Sequence, residues 1–254
     1  MKSKTFAARH AALFLCLISL LNICPPAQSQ VTNAPAVAHW PKSNDLFPGK
    51  GVVNSSDWFK KTWSDRRARF WNHRAQDKGA VVFLGDSITQ GWSSLAKDFP
   101  NLKVVNRGIS GDTTRGVWYR LPEDVLNLNP QAIVLLIGTN DIGLGGEPDD
   151  VANNVKGILQ AIIARYPKIP VIVCKVMPSS AGLKRPADKI KILNALVDEI
   201  VKGNSQLIRC DTWSIFANEN GNAKKEEFND LLHPNAAGYA KWKAALDPIF
   251  AKLK

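Results

Sequence analysis

Val81-Val82-Phe83-Leu84-Gly85-Asp86-Ser87 is a short unbroken apolar run that ends in a glycine, a carboxylate and a serine. A half-exposed strand would alternate apolar and polar residues, so an unbroken run suits a strand covered on both faces. The run occupies 80–84, and four more of the same kind follow at 103–106, 132–137, 170–176 and 207–211. Helical spacing fills the intervals. Val151, Val155, Ile158, Leu159, Ile162 and Ile163 mark one helix, Leu193, Leu196, Val197, Ile200 and Val201 another, and a last one starts near Ala236 and continues toward the C-terminus. Strands alternating with helices in this way need right-handed crossovers and a parallel sheet with helices on both faces. We therefore expect one three-layer α/β domain over about 57–254.

Upstream of Gly79 the pattern changes. Over 57–76, Phe59, Trp63, Phe70 and Trp71 recur at helical spacing while Lys60, Lys61, Arg66, Arg67, Arg69 and Arg74 take the other faces, which predicts an amphipathic helix. Its expected role is an aromatic stripe on the core with a solvated basic face; a surface for an anionic polymer or membrane is the alternative. Residues 30–56 contain Pro35, Pro41, Pro48, Gly49 and Gly51 without periodicity and read as an extended lead-in. Before it, Lys2, Lys4 and Arg9 precede the apolar run AALFLCLISLLNI and the small-residue pattern Ala27-Gln28-Ser29. That is the layout of a cleaved secretory signal over 1–29, and it predicts export to a periplasmic or extracellular space. A lipid anchor on Cys24 is the alternative, against which Ile23 stands where a small residue is expected.

Composition narrows the classes further. The chain has 254 residues with Lys+Arg 33 against Asp+Glu 22, a formal charge of +11 that first suggests a nucleic-acid partner. Three of those charges leave with the signal and many others fall on the one amphipathic helix, so no nucleic acid is expected as partner. Neither a G-x-G-x-x-G fingerprint nor a G-x-x-x-x-G-K-[ST] loop follows the first strand, and H-E-x-x-H does not occur. Neither dinucleotide nor P-loop nucleotide binding is expected, and no stable membrane insertion after signal removal. Cys174 and Cys210 remain in the mature chain; both lie in apolar runs and read as buried free thiols, a disulfide between them being the alternative.

In a parallel α/β sheet the functional residues sit on loops at the carboxyl ends of the strands. Ser87 stands there, entering a helical turn, where backbone N–H groups can stabilise negative charge; a plain helix cap is the other reading. A serine nucleophile needs a base. His39 lies in the lead-in and His73 in the basic helix, whereas His233 stands in Asp230-Leu231-Leu232-His233-Pro234-Asn235, with a carboxylate three residues upstream that one tight turn brings to the imidazole. Gly111, in the loop after the second apolar run, and Asn140, after the third, offer a backbone and a side-chain N–H at the same edge. With the Ser87 N–H they suit an oxyanion held at about 2.7–3.1 Å.

Gly85-Asp86-Ser87, Gly111, Asn140 and Asp230-x-x-His233 together resemble the four blocks of the SGNH (GDSL-type) hydrolase family, in identity, order and spacing, across about 80–245. Gly111-Asp112-Thr113-Thr114-Arg115, continuing to Trp118, Tyr119, Arg120 and Leu121, is similar to the platelet-activating-factor acetylhydrolase-like branch. The resemblance implies a flavodoxin-like sheet of five parallel strands, a catalytic triad of Ser87, His233 and Asp230, an oxyanion hole from Ser87, Gly111 and Asn140, and no cofactor or metal. Short loops between the blocks suggest an open cleft suited to short acyl groups. Trp92, Trp118 and Tyr119 either line that cleft and stack on a sugar or pack in the core. The expected activity is removal of acetyl groups from carbohydrate. A lipid acyl-ester hydrolase of the acetylhydrolase or lysophospholipase type is the alternative, and a non-catalytic module binding glycan or an anionic surface is a third. Oligomeric state is not legible.

Overall fold

In the computed structural model, which describes residues 38–253, each apolar run becomes a strand: β1 (Val81–Gly85), β2 (Val104–Gly108), β3 (Ala132–Leu136), β4 (Val171–Cys174) and β5 (Leu207–Cys210). All neighbours pair in parallel, in the order β2-β1-β3-β4-β5. The helices are α1 (Asp57–His73), α2 (Ser87–Gln90), α3 (Leu95–Asp98), α4 (Thr114–Asp124), α5 (Thr139–Gly143), α6 (Pro148–Arg165), α7 (Ala187–Val201), α8 (Thr212–Phe216) and α9 (Ala236–Ala251). The expected three-layer α/β/α architecture is the one observed. The expected signal segment, 1–29, and the start of the lead-in lie outside the described residues.

Side chains alternate across the sheet as a strand period of two requires. Val82, Leu84, Ile133, Leu135, Val171 and Val173 face α4, α6 and α7, while Val81, Phe83, Val134, Leu136 and Ile172 face Trp92, Phe216 and the Trp242, Leu246 and Phe250 stripe of α9. Both faces are dry, which explains the unbroken apolar runs. Cys174 and Cys210 stand opposite each other in the β4–β5 register, buried and free. Gly85 pairs with Gly108 on one side and Leu136 on the other, so β1, β2 and β3 end level and their exit loops gather at one edge.

The segment before α1 is built into the fold. The Arg115 guanidinium donates to the carbonyls of Asn44, Phe47, Pro48 and Gly51 at 2.7–3.2 Å, and Asn154 exchanges two hydrogen bonds with the Lys50 backbone. A Pro- and Gly-rich stretch whose only regular element among the described residues is the 3-10 turn Asn44–Leu46 needs such partners for its main-chain groups. Phe59, Trp63 and Phe70 of α1 form the expected buried stripe with Ile109. Its basic face is only partly solvated. Arg66 donates twice to the Gly108 carbonyl, and Arg67, 1% exposed, shares its Nε hydrogen between both oxygens of Asp124 and donates from Nη2 to Glu123. The planar guanidinium fork matches carboxylate and carbonyl oxygens, so these two arginines turn inward. Among the described residues no helix is long and apolar enough to cross a membrane.

Candidate active site

The strand order reverses between β1 and β3, the place where open α/β sheets form a crevice beyond the carboxyl ends of their strands. Ser87 opens α2 there. The helix cap is Asp86, whose Oδ1 accepts the Ile88 N–H at 2.9 Å, so the Ser87 hydroxyl is not spent on capping. Its Oγ lies 2.9 Å from His233 Nε2, and His233 Nδ1 lies 2.6 Å from Asp230 Oδ2. With a carboxylate at Nδ1 that nitrogen carries the proton, which leaves the Nε2 lone pair to accept from the serine. The other Asp230 oxygen accepts the main-chain N–H groups of His233 (2.7 Å) and Leu232 (3.0 Å). Partial burial works to raise the Asp230 pKa, but the His233 ring and these two N–H groups outweigh it and hold the carboxyl below its ordinary value. The turn is tight enough that Leu231 adopts φ +62°, and Ser179 Oγ pins its carbonyl at 2.9 Å.

Three N–H groups at the neighbouring strand exits are candidate donors. The β2 exit turn is tied to the serine loop by Ile109 N to Gly85 O (3.1 Å) and by Ser110 N to Gln90 Oε1 (2.8 Å). Gly111 follows at φ +84°, a conformation that costs an L side chain about 1–2 kcal/mol. Its carbonyl is held by Asn54 Nδ2 at 3.0 Å. Among the described residues neither the Ser87 nor the Gly111 N–H has a protein acceptor. Asn140, 8% exposed in the first turn of α5, donates one Nδ2 hydrogen to the Asp112 carbonyl at 3.0 Å. Its Oδ1 accepts from Arg185 Nη2 at 3.0 Å, which fixes the amide orientation and leaves the second Nδ2 hydrogen for a ligand. The set of donors can hold a developing oxyanion while the serine and histidine act on the attached carbonyl.

A family model described as the GDSL-like lipase/acylhydrolase family matches residues 83–241, which holds Ser87, Gly111, Asn140, Asp230 and His233. The chain belongs to that family. It is therefore a hydrolase of ester bonds. Human platelet-activating factor acetylhydrolase IB subunit alpha2 is 32% identical over 204 residues, covering 75% of this chain and 84% of that one. Among solved structures, a GDSL-like lipase from Bacteroides thetaiotaomicron is 28% identical with a TM-score of 0.66, covering 73% of this chain and 97% of its own. A lipase/acylhydrolase from Enterococcus faecalis is 26% identical with a TM-score of 0.59, covering 69% and 97%.

Arg185 is a site residue that sequence patterns do not reveal. It comes from the connection before α7, donates to Thr139 O and Oγ1 (3.1 and 3.2 Å) as well as Asn140, and lies flat on α5. A methyl group on Gly143 would meet its Cζ at 2.6 Å. Burial lowers its pKa while the charges of Asp86 and Asp230 oppose the shift. Arg185→Ala frees the Asn140 amide to rotate, and we expect kcat on a short ester to fall roughly 10- to 100-fold with a smaller change in KM, by analogy with losing one oxyanion donor. A lysine there should restore only part of the rate, since it lacks the fork. Wild-type kcat in Arg185→Ala would remove the arginine from the site.

Asp86 is fully buried beside the serine, and its Oδ2 has no hydrogen-bond partner among the described residues. Burial raises its carboxyl from 3.8 to about 7, with the Ile88 N–H, His233 and Arg185 opposing and Asp112 adding to the shift. The folded chain thus keeps a proton that the unfolded chain releases near pH 4, and stability falls as pH rises from about 4 through 7. Asp86→Asn keeps the capping oxygen and cannot ionise. Thermal denaturation at pH 5 and pH 8 should show the variant gaining on wild type at the higher pH; an equal gap at both excludes Asp86 as the titrating group.

Of the two readings open for Trp92, Trp118 and Tyr119, packing is the one observed. Trp92, 1% exposed, packs on Trp242 and Tyr239 and donates to Asp98 at 2.7 Å. Trp118 lies against Gly157 of α6, and Tyr119 packs on Phe47 and Trp63. Large rings next to catalytic loops are commonly absorbed by packing, and these are. Beside the Asp230–His233 turn lies a cavity of about 430 Å³ lined by Ser180, Asn218, Asn222, Lys224, Lys225 and Leu231 among others. Among the described residues no group of three or more His, Cys, Asp or Glu side chains is placed to hold a metal ion.

Proposed function

We propose that the protein removes short acyl groups, acetyl above all, from carbohydrate through a Ser87–His233–Asp230 triad and an acyl-enzyme. The observation that carries this reading is the unbroken hydrogen-bond chain from Ser87 Oγ through His233 to Asp230. His233 Nε2 takes the serine proton as Oγ attacks the ester carbonyl. The N–H groups of Ser87 and Gly111 and the Asn140 amide hold the oxyanion. Collapse of the tetrahedral adduct breaks the bond to the alcohol oxygen, which receives the proton from His233. Water then enters, gives a proton to His233 and attacks the acyl-serine; return of that proton to Ser87 releases the acid.

Two observations support an acetylated, hydroxyl-rich substrate. The curated relatives are acetylhydrolases by name. The alcohol leaves past His233, the group that protonates it, and the cavity that reaches Leu231 of the same turn carries amides, a hydroxyl, two lysines and Glu226 beside Ala223 and Leu231, a mostly polar lining that suits an alcohol that is itself polar. The relatives' name also favours a second reading, an acetyl ester of a phospholipid. Initial rates on acetylated oligosaccharides and on a 2-acetyl phospholipid decide between them. A fluorophosphonate that labels wild type and not Ser87→Ala supports the triad, and failure to label wild type favours a non-catalytic module. We propose also that the mature protein works outside the cytoplasm, as Lys2, Lys4, Arg9 and the apolar run after them indicate. N-terminal sequencing of the protein recovered from the producing cells should find a start near residue 30.

A further inference from the structure

We propose that Trp58 is an aromatic platform on which the sugar ring of the substrate lies while its acetyl carbonyl enters the oxyanion site. This rests on the carbohydrate reading above and goes beyond it by naming the surface that selects a ring.

Trp58 stands in the first turn of α1 and is 56% exposed, whereas Phe59, Trp63 and Phe70 of the same helix are buried. An indole left in water forgoes a large burial energy. Its place gives that exposure a use. The Gly111 Cα faces the edge of the ring so closely that a methyl group there would come within 2.5 Å of Trp58 Cη2. The ring therefore abuts the residue whose N–H is offered to the oxyanion. It is also held in place. Asn54 bonds the Gly111 carbonyl and, through Oδ1, the Ser56 N–H and hydroxyl just before the helix, and Phe59 meets the ring edge-on at 5.9 Å.

A pyranose presents a face of C–H groups whose partial positive charge suits the negative face of an indole, while its hydroxyls stay at the rim. Trp58, beside the Gly111 turn, offers a wall for a ring face. A lipid chain would need a continuous apolar groove instead. The large exposed apolar side chains among the described residues are scattered along the chain: Leu46, Trp58, Leu144, Ile192 and Leu253. Trp58 precedes the span matched by the family model, so this wall comes from the part of the chain outside the matched blocks.

The test compares wild type, Trp58→Phe and Trp58→Ala on an acetylated cello-oligosaccharide, on ethyl acetate, which has no ring, and on micelles of a 2-acetyl ether phospholipid, with the melting temperature of each variant measured alongside. Trp58→Ala should lose at least tenfold more kcat/KM on the oligosaccharide than on ethyl acetate, mainly through KM, and Trp58→Phe should recover most of it. Equal losses on both small esters would overturn the platform and leave Trp58 as a prop for Gly111. A selective loss on the phospholipid alone would overturn it in favour of a lipid contact. If wild type itself prefers ethyl acetate to the oligosaccharide, the carbohydrate reading fails first and the platform with it.

Discussion

Ser87→Ala should lower kcat on a short acetyl ester by roughly 10⁴- to 10⁶-fold with little change in KM, which corresponds to about 5–8 kcal/mol of lost transition-state stabilisation. The alanine removes the hydroxyl to which we assign the acyl-enzyme and nothing that holds the fold. Ser87 Oγ bonds only His233 among the described side chains, and the α2 cap belongs to Asp86. The melting temperature should therefore stay close to wild type. A residual rate above the uncatalysed reaction is expected, because the Gly111 and Asn140 donors still polarise a carbonyl for attack by water. His233→Ala should cost about as much, since nucleophile and base act as one unit, and the double variant should be no worse than either single one. Losses that multiply in the double variant would mean that the two residues act independently, and the hydrogen-bonded pair would lose its catalytic meaning.

What could be read from the residues follows from where each one's constraint lies. Val81 to Leu84 and Ile133 to Leu136 are buried on both faces, so the strand leaves a continuous apolar signature that needs no tertiary information. Ser87 at a strand exit and Asp230 with His233 in a three-residue turn are local features that a sequence records; that the two meet across 146 residues came from the resemblance of the four blocks. Arg185 was not legible: it acts on Asn140 across 45 residues of chain, from a connection with no periodicity. Trp58 and Asn54 escaped for the same reason, since their partner Gly111 lies on another loop. Arginine carries a further ambiguity. In α1, Arg66 and Arg67 look no different from Arg69 and Arg74, yet two turn inward because carbonyl and carboxylate oxygens from β2 and α4 happen to face them. Trp92, a ring close to Ser87 in sequence for which both readings stood open, is claimed by the core.

Those inward arginines belong to a buried charge network that sets how firmly the catalytic loops are held, and Arg120 is its centre. The side chain is 0% exposed. Nε donates to Asp112 Oδ2 at 2.7 Å, Nη1 reaches Asp124 Oδ2 at 3.5 Å, and Nη2 donates to the carbonyls of Arg107 (2.9 Å) and Gly85 (3.1 Å). One guanidinium therefore joins the residue before Asp86-Ser87, the end of β2, and the residue whose carbonyl receives Asn140. Arg120→Ala removes all four bonds and leaves Asp112 buried without its partner. Breaking one side of a buried pair costs about 3–5 kcal/mol, and at roughly 2–4 °C per kcal/mol for a domain of this size the melting temperature should drop about 6–20 °C. The deficit should depend on pH. Burial already pushes the Asp112 carboxyl up to about 6 with Arg120 beside it, and removing that charge raises it further. A raised carboxyl loses stability as pH rises through its folded value, so the variant should fall further behind wild type at pH 8 than at pH 5. Adding Asp112→Asn to Arg120→Ala takes away the stranded charge and should recover part of the loss, the coupling expected of residues in direct contact. Well below its melting temperature the single variant should also turn over more slowly, because Gly85 and Asp112 flank the nucleophile and the oxyanion turn. A melting temperature within 2 °C of wild type at both pH values would show that the sheet and helices hold those loops without the arginine.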